Sequence, residues 1–271
     1  MILNLSEEMV LRKDRQKSDG YKWLCTGCRD GTTPPSLSVR ASSLFAGKHL
    51  SFLSFLLLAE RWANHPGDSG AKVAADVGVN QETVVEHYEL FRDVCSLWIE
   101  HHSSVTKIGG PGEVVEIDES HFYPRKYNRG RWHRATWIFG GIQRGSRNVF
   151  MVPVERRDWA TLSEIIYANV ADDSIIMTDG YFRLNDTAQS YVHYYVNHKF
   201  NFVNPEDDTI HTQSIEATWG SLKRSLKHLA GIRKNMFQGY LDNYVFRRAH
   251  NNQDILQNFL FWMIIFYEPQ P

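Results

Sequence analysis

Cysteine is scarce in this chain, with three residues in 271. No secretory leader opens it, and three thiols cannot build the disulfide framework of a small secreted domain. The expectation is an intracellular protein, nuclear in a eukaryote and otherwise cytoplasmic. Long apolar runs are missing as well. The run "LSFLSFLLLA" (50–59) is closed by Glu60 and Arg61, and the tail "ILQNFLFWMIIFY" (255–267) is interrupted by Gln257 and Asn258. Both fall well short of the roughly 20 residues that span a bilayer, so both are expected to be buried helices. An excess of one charge is absent too: Lys+Arg 30 against Asp+Glu 31 leave a formal net charge of -1. Any surface for a polyanion must therefore come from local clustering. Internal repeats and low-complexity tracts are also lacking, which sets aside solenoids and biased disordered segments.

Aromatic residues are plentiful: Trp 8, Tyr 12 and Phe 15. A chain of this length and composition has room for one large domain and a smaller one. Residues 1–41 are polar and broken, and "YKWLCTGCR" places Cys25 and Cys28 in a CxxC. That is half of a zinc-ribbon knuckle, and a tetrahedral Zn²⁺ site needs two more ligands. Cys95 is alone and distant, so a metal-free turn and a zinc site both stand as readings. Residues 42–106 carry helical patterning. Val73, Ala74 and Val77 lead to a turn at Gly78, and Asn80 is placed to cap a following helix, a helix-turn-helix pattern. Gln81, Glu82 and Thr83 open that helix where base-reading side chains sit, whereas Glu82, Glu86 and Glu89 make it acidic. "KIGGPGE" (107–113) reads as a linker and a domain boundary.

Beyond the linker the periodicity changes. "EVVEID" (113–118), "TWIFGGIQ" (136–143), "NVFMVPV" (148–154) and "SIIMTD" (174–179) read as strands, with "YVHYYVN" (191–197) as a fifth. "RGSR" is a hairpin turn, and Asp158 caps a helix over 158–170. Ile215, Trp219, Leu222, Leu226 and Leu229 form one stripe of an amphipathic helix over 211–229. The fold class expected is α/β: a mixed sheet with flanking helices, after a small, mostly helical N-terminal region.

Two of these strands end in an aspartate, Asp118 and Asp179, and Glu216 lies early in the long helix. An aspartate at a strand end is commonly just a turn residue. Three carboxylates on neighbouring elements, however, suit a pair of hard divalent cations, which prefer oxygen ligands. Paired cations serve in-line displacement at phosphorus.

The stretches "EIDESHF", "KYNRGRW", "WIFGGIQR", "TDGY", "HTQSIEATWGSLKR" and "YLDNYVFRR" together resemble a Merlin-type DDE transposase, related to bacterial ISXO2-like insertion-sequence transposases. The resemblance covers residues 113–250 in the family's order. The 36 residues between Asp179 and Glu216 (positions 180 to 215) match its spacing. "DGYKWLCTGCR" and residues 73–92 resemble the family's zinc ribbon and helix-turn-helix. The resemblance implies an RNase H-like catalytic domain over 113–250 and a helix-turn-helix-like DNA-binding region over 42–106. A partial ribbon over 1–41 and a C-terminal helix over 251–271, packed on the core, complete it. It implies Asp118, Asp179 and Glu216 as catalytic ligands of Mg²⁺, with Mn²⁺ substituting, and Lys223 as a DNA-phosphate contact. It also implies cleavage and strand transfer at transposon terminal inverted repeats, into target DNA, by a homo-oligomer. The family's ribbon has two CxxC knuckles and this chain shows one, so Cys25 and Cys28 supply two of the four ligands that Zn²⁺ needs.

Two clusters suit a polyanion beside such a site: Arg125, Lys126, Arg129, Arg131 and Arg134, then Lys223, Arg224 and Lys227. His211 either orients a ligand or serves the helix entry. Trp132 and Trp219 either stack on an unpaired base or pack in the core. The rival readings are a transposase-derived DNA-binding protein without catalysis and a sequence-nonspecific nuclease.

Overall fold

The computed structural model describes residues 9–17, 19–27, 36–103, 106–122, 136–146, 148–179, 191–196, 207–229, 232, 234–251 and 253–268. Two compact units emerge, Met1–Tyr88 with Leu256–Pro271, and Glu89–Ile255.

The first unit opens with strands, which corrects the expectation of a mostly helical N-terminal region. β1 (Met9–Lys13), β2 (Tyr21–Cys25) and β3 (Ser36–Ser38) form an antiparallel sheet in that order. Gly20, at φ 73, turns the chain between β1 and β2, a conformation that favours glycine. The aromatic alternation of "YKWLC" supplies β propensity that the CxxC spacing had obscured. Cys25 is buried; Cys28 lies outside the described residues. Arg40, only 4% exposed, pairs with Asp19 and donates to the Lys48 carbonyl at 2.8 Å, with its guanidinium 4.7 Å from the centre of the Phe52 ring.

Helices follow. α1 (Phe52–Asn64) is capped by Ser51, whose hydroxyl accepts from the Ser54 amide at 3.0 Å. α2 (Gly70–Val77) ends at left-handed Gly78, and Asn80 accepts from the Thr83 amide at 2.7 Å to open α3 (Gln81–Ser103). The Gly78 and Asn80 ends are the ones the sequence pattern called for. The tail forms α7 (Ile255–Phe266), whose Phe259 meets Trp62 of α1 at 4.9 Å. Burial of both apolar runs is only partial: Leu53, Leu56 and Leu57 of α1 and Phe261, Ile264 and Ile265 of α7 are exposed. Among the described residues no helix is long and apolar enough to cross a membrane.

The second unit holds the large sheet. A short strand β4 (Ile108–Gly109) precedes β5 (Val114–Phe122), β6 (Thr136–Gln143) and β7 (Val149–Val154), an antiparallel meander. After α4 (Trp159–Asn169), β8 (Val170–Ala171) pairs with β4. β9 (Ile175–Thr178) and β10 (Val192–Tyr195) then add parallel to β5. The order β10-β9-β5-β6-β7, with β6 antiparallel inside it, is RNase H-like. α5 (Gln213–Leu226) and α6 (Phe237–Ala249) complete the unit.

Side chains alternate across a strand, and here the alternation sorts chemistry. Val115 and Ile117 face a core shared with Phe139, Leu162, Ile166 and Ile176. Glu116 and Asp118 face the opposite side, where α5 packs.

Candidate active site

The parallel register of β5 and β9 pairs Val114 with Ile175, Val115 with Ile176 and Glu116 with Met177. Carried on by two residues, that register sets Asp118 level with Asp179. Adjacent strands lie about 4.8 Å apart, so the two predicted aspartates share one end of the sheet. Glu216 arrives from above, in the first turn of α5. Asp118 and Asp179 are half-buried and Glu216 is exposed.

Electrostatics report the same meeting. Burial first, then the charges of Asp179 and Glu216, raise the Asp118 carboxyl to about 7 against donation from the Glu119 amide and the Trp219 indole. Like charges forced together disfavour ionisation, and hydrogen bonds to the ionised form favour it. The indole contact is direct: Trp219 Nε1 donates to Asp118 Oδ2 at 3.0 Å. Trp219 is 4% exposed. Its ring lies over Gly140, the register partner of Asp118, where a Cβ would sit 2.7 Å from the indole. Trp219 is therefore a core residue that also orients the Asp118 carboxyl, and its burial removes it as a base-stacking platform.

Among the described residues no three His, Cys, Asp or Glu side chains stand together as a metal-binding group. The donor chemistry still fits a divalent cation. All three groups are carboxylates, and beyond the effect of burial the charges of Asp179 and Glu216 also raise Asp118, a repulsion that a cation would relieve.

α5 is seated by a carboxylate that the sequence reading passed over. Glu116 is 0% exposed. Its Oε2 accepts from the amides of Ser214 at 2.7 Å and Ile215 at 3.0 Å. Its Oε1 accepts from the Ser214 hydroxyl and from Arg144 Nε, each at 2.9 Å. Arg144, read in sequence as a turn residue, also donates to the carbonyls of Thr209 at 2.7 Å and His211 at 3.0 Å. His211 thus lies at the helix entry, with Nδ1 3.6 Å from Glu116 Oε1.

A fourth carboxylate also lies near the tip. Glu119 pairs with Arg157 at 3.0 Å, and its Oε1 is buried without a hydrogen-bond partner among the described residues. Burial raises its carboxyl, Arg157 lowers it and the charge of Asp179 raises it. Its place in "EIDES" gave no signal beyond strand alternation.

Of the predicted cations, Lys223 stands close to the carboxylates. Its ammonium sits 5.0 Å from the centre of the Phe122 ring. Partial burial lowers the Lys223 ammonium from its usual range, while Asp118 pulls it back up. Arg224 and Lys227 are exposed on the same helix end. Arg125, Lys126, Arg129, Arg131, Trp132 and Arg134 lie outside the described residues.

In a comparison with known families, a model described as the ISXO2-like transposase domain matches residues 109–249, just over half of the chain. It spans all three carboxylates and the large sheet. No curated protein matches the chain.

Proposed function

The chain belongs to the ISXO2-like transposase family, and from that membership we propose that it is a Merlin-type DDE enzyme that cuts DNA at transposon ends and joins the freed 3′-hydroxyl to target DNA. The observation that carries the reading is the register that levels Asp118 with Asp179 while the charge of Glu216 reaches Asp118.

Asp118, Asp179 and Glu216 would hold Mg²⁺, or Mn²⁺ in its place. When bound, the ions supply activation of the attacking oxygen and relief of charge on the leaving oxygen. The chain's own groups do the rest. Trp219 fixes the Asp118 carboxyl through Oδ2. Asp118 has to surrender its proton before it serves as a ligand, so metal binding displaces that proton and tightens as pH rises toward about 7. Lys223, Arg224 and Lys227 steer the phosphate backbone to the sheet end. The basic loop 125–134 adds to that field, and the helices at 70–103 present Gln81 to Thr83 to the element's end. Two ends must be held for joining, which calls for a homo-oligomer. The single CxxC supports no complete zinc site by itself.

The test is cleavage of a duplex bearing the element's terminal inverted repeat. Mg²⁺-dependent nicking at the repeat boundary, lost in Asp179→Ala, supports the proposal. Nicking that persists in that variant rules it out. Repeat binding without cleavage favours a transposase-derived binding protein. Equal degradation of unrelated DNA favours a nonspecific nuclease.

A further inference from the structure

We infer that Glu116 and Arg144 are the positioning pair of the site: together they tie the three elements that carry Asp118, Asp179 and Glu216 into one arrangement. The inference rests on the proposal that those three carboxylates bind metal.

Helix α5 begins with a deficit. The first amides of a helix have no partner inside it, and the side chain of Thr212, at the cap position, makes no capping hydrogen bond. The cap is delivered instead from the sheet by Glu116, which takes the Ser214 and Ile215 amides and the Ser214 hydroxyl. A negative charge at a helix N-terminus is favourable in itself. The contact also joins two specific places. Glu116 stands two residues before Asp118 on the same face of β5. Ser214 and Ile215 stand immediately before Glu216. A rigid, four-donor joint thus sits one step behind the point where the strand-borne and helix-borne carboxylates face each other.

Arg144 extends the joint to the third element. Beyond its contact to Glu116, its Nη2 lies 3.1 Å from Met177 Sδ, and Met177 is two residues before Asp179 on β9. Its guanidinium also holds the Thr209 and His211 carbonyls, so the chain entering α5 is fixed as well. A lone buried carboxylate would be strongly unfavourable; pairing with Arg144 and three further accepted hydrogen bonds offset its desolvation. Neither side chain touches a reacting atom, so both act through the ligands they orient. Outer partners of this sort typically set roughly 10- to 100-fold in metal affinity.

The experiment measures Mn²⁺ binding to the full chain by calorimetry, well below the melting temperature, with amide hydrogen exchange at Ser214 and Ile215. Glu116→Gln preserves size but replaces one accepting oxygen with a donor. With the charge gone and one acceptor lost, it is expected to keep the wild-type circular dichroism, speed exchange at both amides and weaken Mn²⁺ binding by roughly 10- to 100-fold. Arg144→Lys keeps the charge and loses the fork, and is expected to weaken binding several-fold; it carries the test if Glu116→Gln does not fold. A purely structural joint would lower the melting temperature and leave the affinity alone. Wild-type affinity in the folded variants, alongside loss of binding in Asp179→Asn, overturns the positioning role only. Unchanged binding in Asp179→Asn overturns the metal reading beneath it as well.

Discussion

Asp118 concentrates the chemistry of the site in one side chain. Its folded carboxyl titrates near 7 against an ordinary value of 3.8. Between those values the folded chain keeps a proton that the unfolded chain has released. This contribution to stability is therefore fully present at low pH and fades as pH rises through about 4 to 7. Melting temperatures measured without metal across that window should fall more steeply for wild type than for Asp118→Asn, and added Mg²⁺ should flatten the difference at the alkaline end. Parallel slopes for the two proteins would contradict the raised carboxyl. Trp219→Phe removes the indole donor and keeps most of the ring. The Asp118 carboxyl then rises further, and the alkaline-going limb of the pH–rate profile should move to higher pH. At this scale the sequence was readable where a β-branched run stopped at an acid: Asp118 and Asp179 stood out for that reason, although β5 itself runs on past Asp118. Glu116 and Glu119 did not, since an acid inside a strand looks like ordinary solvent-facing alternation until the register shows what covers it. Arg144 was hidden by its place in a good turn sequence.

The elements around the site explain why the strands run where they do. Two consecutive glycines inside β6 are poor strand formers, and such glycines often mark a close approach. Here Gly140 makes room for the Trp219 ring, with a Cβ at 2.7 Å from both the ring and the Phe150 carbonyl. Gly140→Ala should therefore destabilise the fold by about 1–3 kcal/mol, the usual range for overpacking, and should lower cleavage beyond that by shifting the indole off Asp118. Thermal melts and initial rates on the same preparation separate the two effects; full activity in a folded Gly140→Ala would contradict the packing account. β6, β7 and α4 matched their periodicity closely, and Asp158 caps α4 by accepting from the Thr161 amide at 3.1 Å. β5 runs four residues past its expected end at Asp118, to Phe122, because its ladder with β6 continues to Thr136. The N-terminal strands escaped notice because they are short and their polar residues resemble loop composition.

Across the whole molecule, charge is nearly balanced, so DNA affinity has to arise from patches rather than from the global field. Lys223, Arg224 and Lys227 share the C-terminal end of α5, and Lys223 feels the charge of Asp118. Replacing any one of them with glutamine should weaken binding to all duplexes alike and reduce the slope of log affinity against log salt by about 1. A change confined to one DNA sequence would instead signal base reading. Composition predicted none of this placement; it follows from the order β10-β9-β5-β6-β7, which brings residues more than sixty positions apart to one sheet end.

Metal stoichiometry tests the central claim most directly. Mn²⁺ titrated into the metal-free chain and followed by electron paramagnetic resonance should show about two ions bound per chain, with binding lost in Asp118→Asn, Asp179→Asn and Glu216→Gln. Undiminished Mn²⁺ binding when all three carboxylates are replaced would contradict the account.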